Sequence, residues 1–232
     1  MATVEGSLRR GPQCTLISGM RTIRFLVVFL TLISAAAAAE RPDLLRKSAE
    51  RGDAKAQCNL GRFYYVGQGM AKNPVEAVKW FRRSAEQGNA EAQFNLGIAY
   101  WFGEGVIKDP VEAVNWYRKA AEQGSAKAQF NLGCAYGAGV GVIRDSFEAV
   151  NWYRKAAHQG IASAQYCMGI AYWLGEGARK DPGEALAWLN VASAFGSEPA
   201  RAWRESLEKD VSRSQIDEAA RRARELMETV RK

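Results

Sequence analysis

Few residues in this 232-residue chain could perform chemistry directly. There is one histidine, His158, and there are four cysteines. No histidine and cysteine residues are spaced as zinc ligands, and no histidine–glutamate helix motif typical of a metalloprotease is present. Four Gly-x-Gly pairs could suggest phosphate loops, but each lies between two predicted helices and not after a strand, so we interpret them as turns. The sequence therefore predicts no catalytic residues, no metal and no cofactor. The pairs are Gly67/Gly69, Gly103/Gly105, Gly139/Gly141 and Gly175/Gly177.

The cysteines fit apolar positions better than redox ones. Cys58 aligns with large apolar residues in the repeats described below, and so does Cys134. We expect small buried or half-buried hydrophobic side chains there, with a redox role as the alternative. His158 aligns with glutamates, and we expect it on the surface of a helix.

The chain is organised by an ungapped pattern of 36 residues that occurs four times. The second and third copies are identical at 26 of 36 positions, and glycine and tryptophan recur at fixed places. A period of this length indicates a stacked array in which each unit buries its apolar face against its neighbours. Function is then more to be expected in a surface than in a pocket. The copies span residues 53–88, 89–124, 125–160 and 161–196.

Each copy predicts two helices. In the second copy, Ala92, Leu96 and Tyr100 recur at helical spacing after an N-cap at Asn89. Asp53 and Ser125 are the matching caps, whereas Ile161 should start its helix less firmly. The second helix begins at Asp109-Pro110-Val111-Glu112, which combines a cap, a first-position proline and a glutamate. These signals predict an all-α fold, an α-solenoid of antiparallel helix pairs.

The repeated elements A-x-A-Q-x-N-L-G-x-x-Y, G-x-G, D-P-x-E-A and W-Y/F-x-x-A-A-x-x-G resemble Sel1-like repeats, which are relatives of the tetratricopeptide repeat. The resemblance covers 144 of the 232 residues. It implies a right-handed superhelix of helix pairs with a concave face used for binding. Some exported members of the family staple each unit with a pair of cysteines, and this chain has no such pair.

The N-terminus predicts export. Arg21 and Arg24 precede an apolar run from Phe25 that ends in small residues before Glu40. This pattern is typical of a secretory signal over residues 1–39, cleaved near Ala39, and Met20 could be the true start. The run is shorter than the roughly 20 residues that span a membrane. We expect a periplasmic or secreted protein, and a membrane-anchored one if the signal is not cleaved.

The remaining ends predict caps for the array. Residues 40–52 are expected to form a short N-terminal capping helix. Residues 197–232 are expected to form a C-terminal helical cap, of which residues 197–210 resemble the first helix of a fifth unit. A capping box starts the last helix at Ser212, and dense charges surround one apolar stripe. An array needs such a polar outer face, and docking on a partner is the alternative use.

The positions that vary between copies predict the binding surface. On each first helix, a face beside the buried one carries residues that, by similarity to tetratricopeptide repeats, line the concave groove. Gly137 and Ala138 would form a notch between two aromatic patches, suited to an apolar side chain or an amphipathic helix. The alternative is that the superhelix buries this face against itself or the terminal helix. The candidate groove residues are Arg62, Tyr65, Phe94, Ile98, Trp101, Phe102, Phe130, Tyr166, Ile170, Trp173 and Leu174.

Asparagines beside this face have two interpretations. Asn59, Asn95 and Asn131 resemble those with which some tetratricopeptide clamps hold a peptide carboxylate. They also belong to the consensus of the repeat, and Cys167 replaces them in the fourth copy. A structural role is the preferred interpretation.

The sequence thus predicts an exported, monomeric or weakly associating scaffold that binds another protein or peptide and has no enzymatic activity. Residues 1–39 hold four basic residues and one acidic residue, so the rest has a net charge of about +4 with no basic stripe for nucleic acid. One alternative is a periplasmic regulator of an envelope sensor or polysaccharide pathway, which would use the same groove. Another is a cell-wall enzyme, since penicillin-binding activity is attributed to cysteine-rich relatives. The missing cysteine pairs and the missing nucleophile–base signature disfavour it.

Overall fold

The computed structural model describes residues 42–68 and 70–230, and its regular elements there are all α-helices. The predicted all-α solenoid of helix pairs is confirmed. Residues 1–41, which include the predicted signal, lie outside the described residues, as does Gly69 of the first turn. The helices are α1 (Pro42–Glu50), α2 (Ala54–Val66), α3 (Pro74–Glu86), α4 (Ala90–Phe102), α5 (Pro110–Glu122), α6 (Ala126–Ala138), α7 (Ser146–His158), α8 (Ala162–Leu174), α9 (Pro182–Ala194), α10 (Glu198–Leu207) and α11 (Arg213–Val230).

The first helix of each pair starts at its predicted cap. The side chains of Asp53, Asn89 and Ser125 each accept a hydrogen bond from the backbone amide three residues later. Such a bond satisfies one of the amides that the first turn leaves open. Ile161 makes no side-chain cap bond at the start of α8, as predicted.

The second helices start as the Asp-Pro signals predict. Asp109 accepts from the amides of Val111 and Glu112 at 3.0 and 3.1 Å, and Pro110 occupies the first turn of α5. The turn before it requires glycine, because Gly105 has a φ of +76° and an added Cβ would lie 2.1 Å from the carbonyl oxygen of Pro74. Each such turn thus rests on the second helix of the preceding unit.

Glycine also sets the distance between paired helices. A Cβ at Gly97 of α4 would lie 2.6 Å from the ring of Tyr117 on α5, so the helices could not keep this separation. Tyr117 is 1% exposed and fills the space that the glycine leaves. Each first helix packs on its own second helix and on the second helix of the preceding unit.

A ladder of buried glutamines links successive units. Gln93 donates from Nε2 to the carbonyl oxygen of Ala85 at 3.1 Å, and its Oε1 accepts from Gln123 at 2.7 Å. Gln57 and Gln129 likewise donate to a carbonyl of the preceding helix and accept from the glutamine 30 residues later. Phe195 occupies the fourth donor position. The Oε1 of the fully buried Gln165 therefore has no hydrogen-bond partner among the described residues.

A second ladder runs along the second helices. The cationic groups of Arg83, Lys119 and Lys155 lie 4.7, 4.0 and 3.9 Å from the ring centroids of Trp80, Trp116 and Trp152, three residues earlier. In the fourth unit Val191 takes the place of the cation beside Trp188, and both are buried. This position lies under the terminal helix.

The C-terminal helices do not form a fifth hairpin. Helix α10 packs on α9 as a first helix would, but α11 packs mainly on α9 and more lightly on α7. The expected capping box is confirmed: Ser212 and Gln215 exchange bonds of 2.9 and 3.2 Å at the start of α11. Ala219, Ala223 and Leu226 are the buried residues of its apolar stripe.

Candidate functional site

The candidate groove residues lie on the first helices α2, α4, α6 and α8, in matching positions. We call this surface the first-helix strip. Phe94 and Ile170 are 8% and 3% exposed and belong to the core, whereas Phe102 is 37% exposed. The other eight are half-buried and form its surface: Arg62, Tyr65, Ile98, Trp101, Phe130, Tyr166, Trp173 and Leu174.

Aromatic rings of the second helices support the strip from below. Phe94 and Trp101 both pack on Tyr117, with ring centroids 6.0 and 6.1 Å apart. Phe130 packs on Tyr153 at 5.9 Å. Tilted pairs at these distances are favourable and fix the ring orientations. The strip therefore presents aromatic faces held by the core.

A notch interrupts the strip in the third unit. Tyr65, Trp101 and Trp173 occupy one position of the repeat, and Gly137 occupies it in α6. A Cβ at Gly137 would approach the Tyr153 hydroxyl to 3.4 Å and the Ala149 Cβ to 3.7 Å, which is ordinary contact. The side chain that fills this place elsewhere is missing, so Tyr153 forms the floor of the notch.

Polar groups close the N-terminal end of the strip. The Arg62 guanidinium pairs with Glu91 of the next unit at 2.9 Å. The Tyr65 hydroxyl bonds to Glu104 in the turn after α4. Arg62 is thus neutralised within the fold.

The terminal helix packs on the opposite side of the array. Its main contacts are with α9 and α7, which are second helices. The alternative in which this helix covers the strip therefore does not match its position.

Asn95 and the two buried cysteines beside the strip make contacts within the fold. Asn95 donates to Cys58 Sγ over 4.0 Å, which joins two first helices. Cys58 and Cys134 are 1% and 2% exposed, as expected for small hydrophobic residues. Burial raises the pKa of the Cys58 thiol to about 12, so it stays protonated at neutral pH and is a poor nucleophile.

His158 is exposed, as predicted, and it also contacts the terminal helix. Its ring meets Trp188 edge-on with centroids 5.5 Å apart, and its Nδ1 lies 3.4 Å from Thr229 Oγ1. Partial burial of the ring lowers the pKa of His158, and the positive charges of Arg154 and Arg222 lower it further. Sequence reasoning missed this contact because Thr229 is 71 residues away.

The described residues offer little for bound ions. They include no group of three or more histidine, cysteine or acidic side chains that could hold a metal ion. A shallow cleft of about 610 Å³ lies between the starts of α9 and α11, and its wall includes Asp217, Glu218 and Arg221. No helix in the described part has the length and apolar character to cross a bilayer.

Comparisons with known proteins identify the type of repeat. The family model for the Sel1 repeat matches residues 54–89, 90–125, 126–161 and 162–194. A Sel1 repeat protein from Oxalobacter formigenes is 34% identical, with a TM-score of 0.66 over 72% of this chain and 48% of that one. The Escherichia coli protein c5321 has an SLR fold and is described as a protective antigen of uropathogenic strains. It is 33% identical, with a TM-score of 0.56 over 82% of this chain and 48% of that one.

The chain thus spans about half the length of these two relatives. A search of curated proteins finds no significant match. Sel1 repeat proteins are generally protein-interaction scaffolds. Since the family model covers more than half of the residues, this chain belongs to the Sel1 repeat family.

Proposed function

We propose that this protein is an exported, non-catalytic scaffold that binds another protein or a peptide through the first-helix strip. The observation that carries the proposal is the notch at Gly137, flanked along the array by Trp101 and Trp173. Export rests on the signal pattern of residues 1–39.

The chemistry of the strip suits a partner that contributes one apolar anchor. A half-buried aromatic surface loses little side-chain entropy on binding, because its rings are already held by Tyr117 and Tyr153. A side chain entering the notch would contact the Tyr153 hydroxyl and the Ala149 methyl group, which lie nearest to Gly137. Anchors of this kind in central pockets carry most of the binding energy in many interfaces.

The test fills the notch. Gly137→Trp places in α6 the side chain that α4 and α8 already carry at this position, and its Cβ has room. We expect the fold to persist and the partner to lose its pocket, with a loss of about 2 kcal/mol in binding free energy, or roughly 30-fold in affinity.

Binding is measured by photo-crosslinking in the producing cells. Benzoylphenylalanine replaces the exposed Ala138 beside the notch, and Asn115, exposed on the second helix α5, is the control site. We expect a discrete adduct from position 138, none from position 115, and loss of the adduct when Gly137→Trp is added. Adducts that form equally from both sites, or that survive Gly137→Trp, would contradict the proposal. Thermal unfolding of the purified variants verifies that each is folded.

A further inference from the structure

A surface apart from the first-helix strip carries a row of exposed apolar side chains. Ile107 and Ile143 are 89% and 90% exposed, and they lie in the turns between first and second helices. Val111 and Phe147 are 56% and 72% exposed, and they lie in the first turns of α5 and α7. Exposed apolar side chains that lie together are typical of a contact surface. We call these four residues the turn-edge ridge.

The ridge is continuous because each turn rests on the second helix of the preceding unit. A Cβ added to Gly141 would lie 2.3 Å from the Pro110 carbonyl oxygen. The turn that contains Ile143 therefore lies against the start of α5, beside Val111. In the fourth unit Arg179 takes the place of the isoleucines, so the apolar row ends before it.

The charges around the ridge are mainly negative. In the second and third units, the turns and the first turns of the following helices hold five acidic side chains and two basic ones, Lys108 and Arg144, which gives a net charge of −3. The carboxylates that cap α5 and α7 are included, because a hydrogen bond from a backbone amide does not remove the charge. The acidic residues are Glu104, Asp109, Glu112, Asp145 and Glu148.

The other units do not reverse this sign. Arg144 pairs with Glu176 of the fourth unit at 3.7 Å, and Glu184 pairs with Arg222 of α11 at 3.4 Å. Negative charge remains in excess along the whole edge, and most of the excess lies beside the ridge. Nine acidic and five basic side chains lie in the four matching segments, residues 67–76, 103–112, 139–148 and 175–184.

We propose that the turn-edge ridge is a second protein-binding surface, and that its partner presents a basic amphipathic helix. Lysine or arginine side chains of the partner would meet the carboxylates of this edge, while its apolar face would cover Ile107, Ile143 and Phe147. The ridge protrudes and spans two units, which suits an elongated surface and not a small molecule in a pocket. The first-helix strip is a separate surface, so this inference does not depend on the proposed partner of the strip.

The sign of the charge selects this occupant. An anionic bilayer and an acidic protein would both be repelled by the excess of carboxylates. The ridge of a second copy carries the same negative charge, so the pairing of two ridges is opposed for the same reason. A basic partner gains electrostatic attraction in addition to the burial of the exposed apolar groups.

Two synthetic peptides test the proposal. One is about 18 residues long and combines leucine and lysine in an amphipathic helical pattern, and its counterpart has glutamate in place of every lysine. Hydrogen–deuterium exchange of the full chain is measured with each peptide at low ionic strength. We expect the lysine peptide, at ten times its Kd, to slow exchange in residues 103–112 and 139–148 by up to about 10-fold. The glutamate peptide should have no effect, and the turns at residues 87–89 and 123–125, at the opposite edge, should not change.

A triple variant removes the apolar part of the surface. Ile107→Ser, Ile143→Ser and Phe147→Ser together should abolish the protection by the lysine peptide. The exposure of the three side chains predicts an unchanged fold, which circular dichroism verifies.

A pair of charge variants removes the electrostatic part and keeps the test decisive even if the triple variant does not fold. Glu112→Gln with Glu148→Gln should weaken binding of the lysine peptide about fivefold at low ionic strength. Glu86→Gln with Glu122→Gln makes the same change of charge in the last turns of α3 and α5, at the opposite edge, and should have little effect.

Four results would overturn the proposal. Protection by the lysine peptide outside the two ridge segments would place the contact elsewhere. Equal protection by both peptides would reduce the binding to apolar adhesion, and an equal effect of the two glutamate pairs would reduce it to net charge. Protection that rises with protein concentration in the absence of peptide would identify a second copy as the occupant.

Discussion

The buried glutamines show how one residue can connect units that are far apart in the sequence. Gln93 reaches back to α3 with its amide nitrogen and receives Gln123 at its oxygen. Leaving such a buried acceptor unpaired costs about 1–3 kcal/mol. Gln165 carries this cost in the native protein because Phe195 replaces the donor.

We therefore predict that Phe195→Gln stabilises the protein. The new side chain can donate to Gln165 Oε1, and the phenyl ring it replaces is 39% exposed, so the loss of its remaining apolar contacts offsets part of the gain. The expected gain is about 1 kcal/mol in the free energy of unfolding, measured by urea denaturation.

The controls for Phe195→Gln separate the hydrogen bond from the loss of the ring. Phe195→Leu removes the ring and supplies no donor, so it should give no gain. Gln123→Leu should create the same defect at Gln93 and destabilise by about 1–3 kcal/mol. Equal stability of Phe195→Gln and Phe195→Leu would contradict this account of the ladder.

Local hydrogen bonds could be predicted from the sequence, whereas the ladder could not. Asp109 caps amides two and three residues away, so the motif contains both partners. Gln123 and Gln93 are 30 residues apart and meet only once two units stack. The recurrence of glutamine was visible in the sequence, but its role needs the distance between helices.

At the scale of the helix pair, two glycines of α6 lie one turn apart in different surroundings. A Cβ at Gly133 would lie 2.7 Å from the Tyr153 ring and 3.1 Å from the carbonyl of Ala149. A Cβ at Gly137 would meet Tyr153 at 3.4 Å. The first glycine sets the helix separation, and the second leaves the notch.

Substituting alanine at the two positions should therefore have opposite effects. Gly137→Ala should stabilise by about 0.4–1 kcal/mol, because alanine loses less backbone entropy than glycine on folding. Gly133→Ala should destabilise by about 1–3 kcal/mol, because the helices must move apart or the ring must shift. Thermal unfolding of both variants checks this. Destabilisation by Gly137→Ala as large as that by Gly133→Ala would mean that the notch is already filled.

Helix bounds were more predictable than helix directions. The capping box at Ser212 placed the start of α11 correctly, since both of its bonds are local. The return of α11 across α9 and α7 depends on which apolar faces the fourth unit leaves open. Val191 is the residue that makes the surface of the fourth unit apolar. This effect is evident only from its position beside Trp188 in the folded array.

For the whole molecule, contacts between neighbouring units imply that stability is distributed along the array. The core follows this division, because one buried cluster includes the fourth unit with α11 and a separate one includes α1 and the start of α2. A destabilising substitution at one end should therefore promote local unfolding of that end first.

We predict that Leu226→Ala, which truncates a side chain that is 4% exposed, lowers local stability by about 2–5 kcal/mol. Amides of α8 and α9 should lose protection from hydrogen exchange while those of α2 and α3 keep it. Leu60→Ala makes the same chemical change at the other end, where Leu60 is fully buried, and should produce the reverse pattern. A uniform loss of protection from either variant would mean that the array unfolds as one unit.

The tryptophan series determines where the terminal helix α11 packs on the array. In the first three units a cationic side chain lies over the indole ring. In the fourth unit Val191 replaces the cation beside Trp188, and this apolar surface is where α11 packs. The second and third units carry no such marker and join their neighbours through the same glutamine bonds, so they are interchangeable for folding. Excising residues 89–124 should yield a shorter array that still folds with both terminal helices in place, and inserting another copy should lengthen it.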